Sequence, residues 1–216
     1  MPNRTGKCLA SLITVALTII VTPGLAEERC GDLDNAYGPF DYNDPKNHEG
    51  WYGSKKQNAD SNIHIVERAH LFGFETLTKP DFDTIGSIDY LLRAIPNHPQ
   101  GLFLLIRMDR KLNGKLPRPP RNLDGTNWPA TVDCYFDRAM RFAPRDPVVR
   151  QLLGVYLHWN NRYEEALAAY AQATELGLKS AELYYNIGLA HFELKQYAEA
   201  RANAHKAYDM GYPTAG

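Results

Sequence analysis

Residues 147–180, PVVRQLLGVYLHWNNRYEEALAAYAQATELGLKS, and residues 181–214, AELYYNIGLAHFELKQYAEARANAHKAYDMGYPT, decide the fold. With a shift of 34 residues they pair Gly154 with Gly188, Tyr163 with Tyr197, Glu165 with Glu199 and Ala166 with Ala200. Ala173 falls on Ala207, Gly177 on Gly211, and Leu153 on the similar Ile187. Self-similarity at a fixed period of this size marks a stacked repeat. Each window reads as two helices. Leu152, Leu153, Tyr156 and Leu157 form one apolar stripe, and Asn160-Asn161-Arg162 is a polar turn. Tyr163, Ala166, Leu167, Tyr170 and Ala173 then recur at helical spacing. Gly177 and Gly211 stand where a helix should stop. Small residues at 154, 188, 166 and 200 allow the two axes of a pair to approach to about 8–10 Å.

This arrangement resembles the tetratricopeptide repeat (TPR), W-x2-L-G-x2-Y followed by A-x3-F and P. The first window supplies Arg150, Leu153, Gly154 and Leu157, then Ala166 and Tyr170. The second supplies Tyr184, Ile187, Gly188 and His191, then Ala200 and Ala204. Arg150, His191 and Ala204 depart from the usual aromatic types. Upstream, Phe136, Ala139 and Pro144 look like the second half of another repeat. Pro117, Pro119, Pro120 and Pro129 exclude a regular helix directly before it. Its first half is expected at 99–111, after Pro96-Asn97-His98-Pro99, with Leu102, Phe103, Leu105, Ile106 and Met108 as the stripe. The expectation is one split repeat, helix 99–111 and helix 130–142, with a Pro-rich insertion. Ile85, Ile88, Leu91, Leu92 and Ile95 read as a lone second helix before it. The expected organisation is therefore a non-repeat extension at 27–83, a half-repeat and split TPR-like repeat at 84–146, and two TPRs at 147–180 and 181–214. The fold class is all-α, a short helical-hairpin solenoid with a loop-rich extension. The layout, with its Tyr37-Gly38-Pro39-Phe40-Asp41-Tyr42 opening, also resembles exported bacterial TPR-containing proteins with no established activity.

Composition narrows the class. The 216 residues are 44% hydrophobic and 23% charged, which excludes wholesale disorder. A formal net charge of −1 gives no electrostatic basis for nucleic-acid binding. Residues 1–26 have a secretory layout: Arg4 and Lys7 without an acid, an apolar run from Cys8 to Val21, then Gly24-Leu25-Ala26 before Glu27. Cleavage there removes two positive charges and takes the net charge from −1 to −3. The expected location is exported: periplasmic if the source is Gram-negative, or secreted, with no stable membrane insertion after cleavage. Cys30 and Cys134 survive, and an even count in an exported chain points to a disulfide. On a 130–142 helix Cys134 shares the polar face with Asp137 and Arg141, opposite the stripe Val132, Phe136, Ala139 and Met140.

Chemistry is sparse. His64, Glu67 and His70 are the best metal or catalytic candidates, and an enzyme or metal protein with a site around them is the alternative reading. Zinc enzymes use H-E-x-x-H, with histidines four apart. A spacing of six puts the two rings about 240° apart on a helix. The acidic string Asp32, Asp34, Asp41 and Asp44 lacks the EF-hand order. No Walker loop, G-x-S-x-G or C-x-x-C is present, and no cofactor is expected. Stacked helical pairs create a groove lined by first helices. Gln151, Val155, His158, Tyr185, Asn186, Leu189 and Phe192 are its candidate lining. The resulting expectation is a non-enzymatic scaffold or adaptor in the bacterial cell envelope. It would bind a protein or peptide partner, and its C-terminal helix is a candidate contact with a second copy.

Overall fold

A computed structural model describes residues 30–49, 61–71, 82–116 and 131–213. The leader at 1–26, Trp51 and Tyr52, and the Pro-rich stretch with Arg118, Arg121 and Trp128 lie outside the described residues. Among the described residues the chain is all-helical, with no strand. A 3-10 turn at Pro45–His48 is followed by α1 (Asn62–His70), α2 (Phe82–Ala94), α3 (Pro99–Lys111) and α4 (Val132–Phe142). Then come α5 (Pro147–Trp159), α6 (Tyr163–Glu175), α7 (Ala181–Glu193) and α8 (Tyr197–Asp209).

Local chemistry sets these ends. Ser61, Thr131 and Ser180 cap α1, α4 and α7 through side-chain oxygens that accept from the third backbone N–H beyond. Proline occupies the first turn of α3 and α5, where its missing N–H costs nothing. The turns inside the two C-terminal pairs place Asn161 (φ 61°) and Lys195 (φ 60°) in the left-handed region. These residues are again 34 positions apart, so the repeat extends to backbone conformation.

The helices stack as pairs. α5 packs on α6 and α7 on α8, and these are the densest contacts in the chain. First helices α3, α5 and α7 lie side by side, while α4 touches both α3 and α5. Ile85, Ile88, Leu91, Leu92 and Ile95 are at most 1% exposed, as are Leu102, Leu105, Ile106, Met108, Phe136 and Tyr170. Each such side chain contributes about 1.5–3 kcal/mol of burial. The core thins toward the C-terminus, where α8 buries only Ala200 and Ala207.

The described part of the extension is mostly loop, with one α-helix and a 3-10 turn. Residues 62–70 form α1, because Ile63 and Val66 share one buried face and Ser61 caps the helix start. Residues 30–49 lie along the stack. Phe40 N–H donates to the Ala94 carbonyl at 2.8 Å, and Arg141 Nη2 donates to the Gly31 carbonyl at 2.8 Å. Arg138 donates to the Asp32 carbonyl. Burial lowers the Arg138 pKa to about 10, which still leaves it charged at neutral pH. Cys30 is joined to Cys134 across 104 residues, with Cα atoms 5.0 Å apart. The polar side of α4 is thus covered by the extension, and Cys134 is only 5% exposed.

One hub ties extension, split repeat and first C-terminal pair together. Asp146 Oδ1 caps α5 by accepting from Val148 and Val149 N–H. Its Oδ2 accepts from Asn97 Nδ2 at 3.0 Å and Asn43 Nδ2 at 2.7 Å. Asn97 also donates to Asp41 and accepts from Tyr42 N–H. All four donors reach one carboxylate that is 7% exposed, so each buried polar group there has a partner.

Candidate interaction face

The first helices bring their exposed side chains to one face. α3 and α5 each have 13 residues and begin with proline. Phe103, Arg107 and Arg110 therefore occupy on α3 the places of Gln151, Val155 and His158 on α5, and of Tyr185, Leu189 and Phe192 on α7. Phe103 sits 6.1 Å from Trp159, ring to ring. The Arg107 guanidinium lies 6.0 Å from the Phe103 ring centre, and that of Arg110 lies 4.6 Å over Trp159. Both guanidinium groups are thus attracted to aromatic faces. Phe103, Arg107, Arg110 and Trp159 were not among the sequence candidates. The signal that would have found them is the alignment of Pro99 with Pro147.

The sequence candidates fare unequally. Gln151 is corrected: at 8% exposed it is packed into the stack and is not an open contact. Val155, Asn186 and Leu189 are half-buried. His158 is half-buried beside Tyr163, 5.2 Å ring to ring. Burial lowers its pKa, Glu193 opposes that shift, and Arg110 adds a smaller lowering effect. Tyr185 stacks on Tyr212 at 4.1 Å, and Phe192 meets Tyr197 edge-on at 5.7 Å. Between α7 and α8 lies an apolar hollow of about 350 Å³, floored by Gly188, Ala200 and Ala204 and walled by Tyr185, Leu189, Phe192 and Tyr197. Arg201 is its one charged lining residue.

His64, Glu67 and His70 do not converge. His64 is exposed, and His70 stacks on Tyr90 at 4.2 Å. Glu67 Oε1 is 3.0 Å from His98 Nε2. His98 Nδ1 accepts from Gly101 N–H to cap α3, so Nε2 carries the proton donated to Glu67. The carboxylate therefore orients a capping histidine. Among the described residues no group of three His, Cys, Asp or Glu side chains is placed to hold a metal ion. Asp41 and Asp44 spend their carboxylates on backbone and Asn97 donors. No described helix is long and apolar enough to cross a membrane.

A family model described as TPR repeat matches residues 157–195. The chain is 32% identical over 80 residues to the peroxisomal targeting signal receptor of Candida glabrata. That alignment covers 37% of this chain and spans 13% of the receptor's length. The solved structure of MamA AMB-1 is 14% identical, covering 71% of this chain and 83% of that one, with a TM-score of 0.42. Residues 157–195 thus carry a match to the TPR repeat, within a stack of helical pairs.

Proposed function

We propose that this chain is an exported scaffold or adaptor of the bacterial cell envelope, released from its leader at Glu27, which holds a protein or peptide segment across the first-helix face. The observation that carries the reading is the alignment of Phe103, Arg107 and Arg110 on α3 with Val155 and His158 on α5 and with Leu189 and Phe192 on α7. Three adjacent helices present apolar, aromatic and cationic groups in register, the composition of a peptide-binding surface. The likeness to a targeting-signal receptor supports peptide binding, and the Cys30–Cys134 pairing supports an oxidising compartment.

A photo-crosslinking residue placed at Phe103 or Val155 should capture a defined partner in intact cells, whereas one at Ala168 on the opposite side of the stack should not. Equal labelling from both sides would remove the face from consideration. Export is checked separately. N-terminal sequencing of the protein from its native host should begin at Glu27, and the denatured, unreduced chain should titrate no free thiol. The reading around His64, Glu67 and His70 has no convergent geometry in its favour.

A further inference from the structure

A polar pocket of about 160 Å³ lies between the C-terminal ends of α3 and α5, and its lining includes Ile106, Asp109, Arg110, Asn113, Trp159 and Asn160. Asp109 is 8% exposed. Among the described residues no group donates a hydrogen bond to its carboxylate or forms an ion pair with it. The other buried aspartates there differ: Asp89 accepts from Tyr135 and Arg93, and Asp146 from Asn43 and Asn97. Counted from the first proline of each helix, the place of Asp109 is taken on α5 by Leu157, 5% exposed. The stack accepts an apolar residue at this position, so its packing does not call for a carboxylate. A buried charge without a partner costs the fold stability. Burial, and then the charge of Asp133, raise the Asp109 pKa.

We infer that this pocket takes a basic side chain of the bound segment, the ammonium of a lysine or the guanidinium of an arginine, with Asp109 as its counter-charge. The pocket sits at the last turn of α3 and the C-cap of α5. Helix C-termini carry partial negative charge and favour a cation between them. Asn160 spends its Nδ2 on the Tyr156 carbonyl at 2.8 Å, which leaves the amide oxygen to accept from a ligand N–H. The Arg110 guanidinium lies 4.6 Å over the Trp159 ring, so that ring already serves as a platform for a cation. Ile106, 1% exposed, gives an aliphatic stem an apolar surface to lie on. A bare metal ion fits less well, because no group of three His, Cys, Asp or Glu side chains gathers to hold one among the described residues. An anion would meet a buried carboxylate and two helix C-termini. Arg110 is the one cation in the lining, and its charge opposes the ligand.

This inference rests on reading the first-helix face as peptide-binding, and it names one side chain of the ligand. The pocket continues that face, since Trp159 meets Phe103 at 6.1 Å, ring to ring. Apolar contacts along the helices would hold the segment, and Asp109 would select for a positive charge at one position in it.

The test uses the purified chain and small probes: butylammonium, butylguanidinium, butyrate as the anion of similar size, and sodium chloride at equal ionic strength. Either cation should shift the NMR signals of the Asn113, Gly114 and Asn160 amides and the Trp159 indole, saturably and in the millimolar range. The tighter of the two identifies the side chain as lysine or arginine. Asp109→Asn should weaken binding by about tenfold or more, and Arg110→Gln should tighten it by about threefold. Asp109→Asn should also keep or raise the parent melting temperature, because it removes an unpaired buried charge, and this separates lost binding from lost folding. The inference is overturned if neither cation gives a saturable shift, or if cation binding survives Asp109→Asn. Tighter binding of butyrate that is lost in Arg110→Gln overturns it as well. Crosslinking from Phe103 and Val155 does not depend on Asp109, so failure of the titration leaves the peptide-binding face standing, and failure of the crosslinking leaves the cation pocket standing.

Discussion

The pairs α5/α6 and α7/α8 share a period, helix lengths and turn conformations, yet they are finished differently. In the first, Gly154 lies under the ring of Tyr170, and an added Cβ would stand 2.2 Å from that ring. In the second, Gly188 faces the Ala200 carbonyl at 3.2 Å from where a Cβ would stand, and no ring covers it. Tyr163 is half-buried whereas Tyr197 is 59% exposed. The small-residue contact is thus intrinsic to the repeat, but closure comes from the neighbour. Among the described residues α5/α6 is held on both sides, by α4 and the extension and by α7, while α7/α8 is packed against α5/α6.

The widest separation between the two pairs should appear at position 170. Tyr170→Ala removes a fully buried ring from the stack, and truncations of this kind cost about 3–5 kcal/mol. Ala204→Gly at the matching place should cost about 1 kcal/mol, the helix propensity difference alone. Denaturant midpoints of the two variants measure the contrast. If the two costs were alike, Tyr170 would not be what closes the first pair.

Next come the helix caps, 34 residues apart at Asp146 and Ser180. Asp146→Ala removes the cap of α5 and leaves Asn43 and Asn97 amides without their acceptor, for a loss of about 3 kcal/mol. Ser180 accepts from Leu183 N–H, so Ser180→Ala should cost about 1 kcal/mol. Hydrogen exchange sharpens the comparison. The aspartate variant should release residues 40–43 along with α5, and the serine variant should loosen only the start of α7. Protection of 40–43 that survives Asp146→Ala would mean the extension is anchored elsewhere.

A smaller difference is expected at the glycines. Gly→Ala in a helix gains about 1 kcal/mol from propensity. At Gly188 the neighbouring backbone must yield by a few tenths of an ångström, which roughly offsets that gain, and melting should barely move. At Gly154 a buried ring must shift, and overpacking of about 1–3 kcal/mol should prevail. A Gly154→Ala variant more stable than the parent would show that the ring relocates freely.

The sequence made the all-α class legible because the period repeats both the small contact residues and the turn residues. Face assignment was partly legible. Helical spacing gave the right side for Tyr185, Leu189 and Phe192, but Gln151 is polar and nevertheless packs inside the stack. Exposure depends on which helix arrives next, and no spacing within α5 encodes that. Phe103, Arg107 and Arg110 were hidden because the insertion after α3 breaks the 34-residue frame. The extension was the least legible. Its order comes from long-range bonds such as Asn43 to Asp146, 103 residues apart, and from an α1 too short to show strong periodicity. Asp89 illustrates the same point: it is 3% exposed, accepts from Tyr135 at 2.6 Å and from Arg93 at 3.0 Å, and gives no local sign of either.

The last contrast is one of charge, since His158 is matched by Phe192. Burial holds the His158 pKa below its ordinary 6.5, against an opposing effect of Glu193 and with a smaller lowering effect of Arg110. His70 is lowered as well, by burial and then by Arg93. In the unfolded chain both rings titrate near 6.5, so between that value and their folded pKa values the unfolded state binds more protons. Stability must therefore fall as pH drops below about 6.5, and this contribution levels off once the pH is under the folded values. His158→Phe makes position 158 match position 192 and should remove one part of that acid slope, with little change at neutral pH. His70→Phe should remove another, and the double variant should be flattest. Carboxylates also titrate in this range, so the quantity to compare is each variant's melting temperature minus the parent's across the pH series. A difference that stays constant from neutral pH to about pH 5 would mean that neither ring is held neutral by the fold.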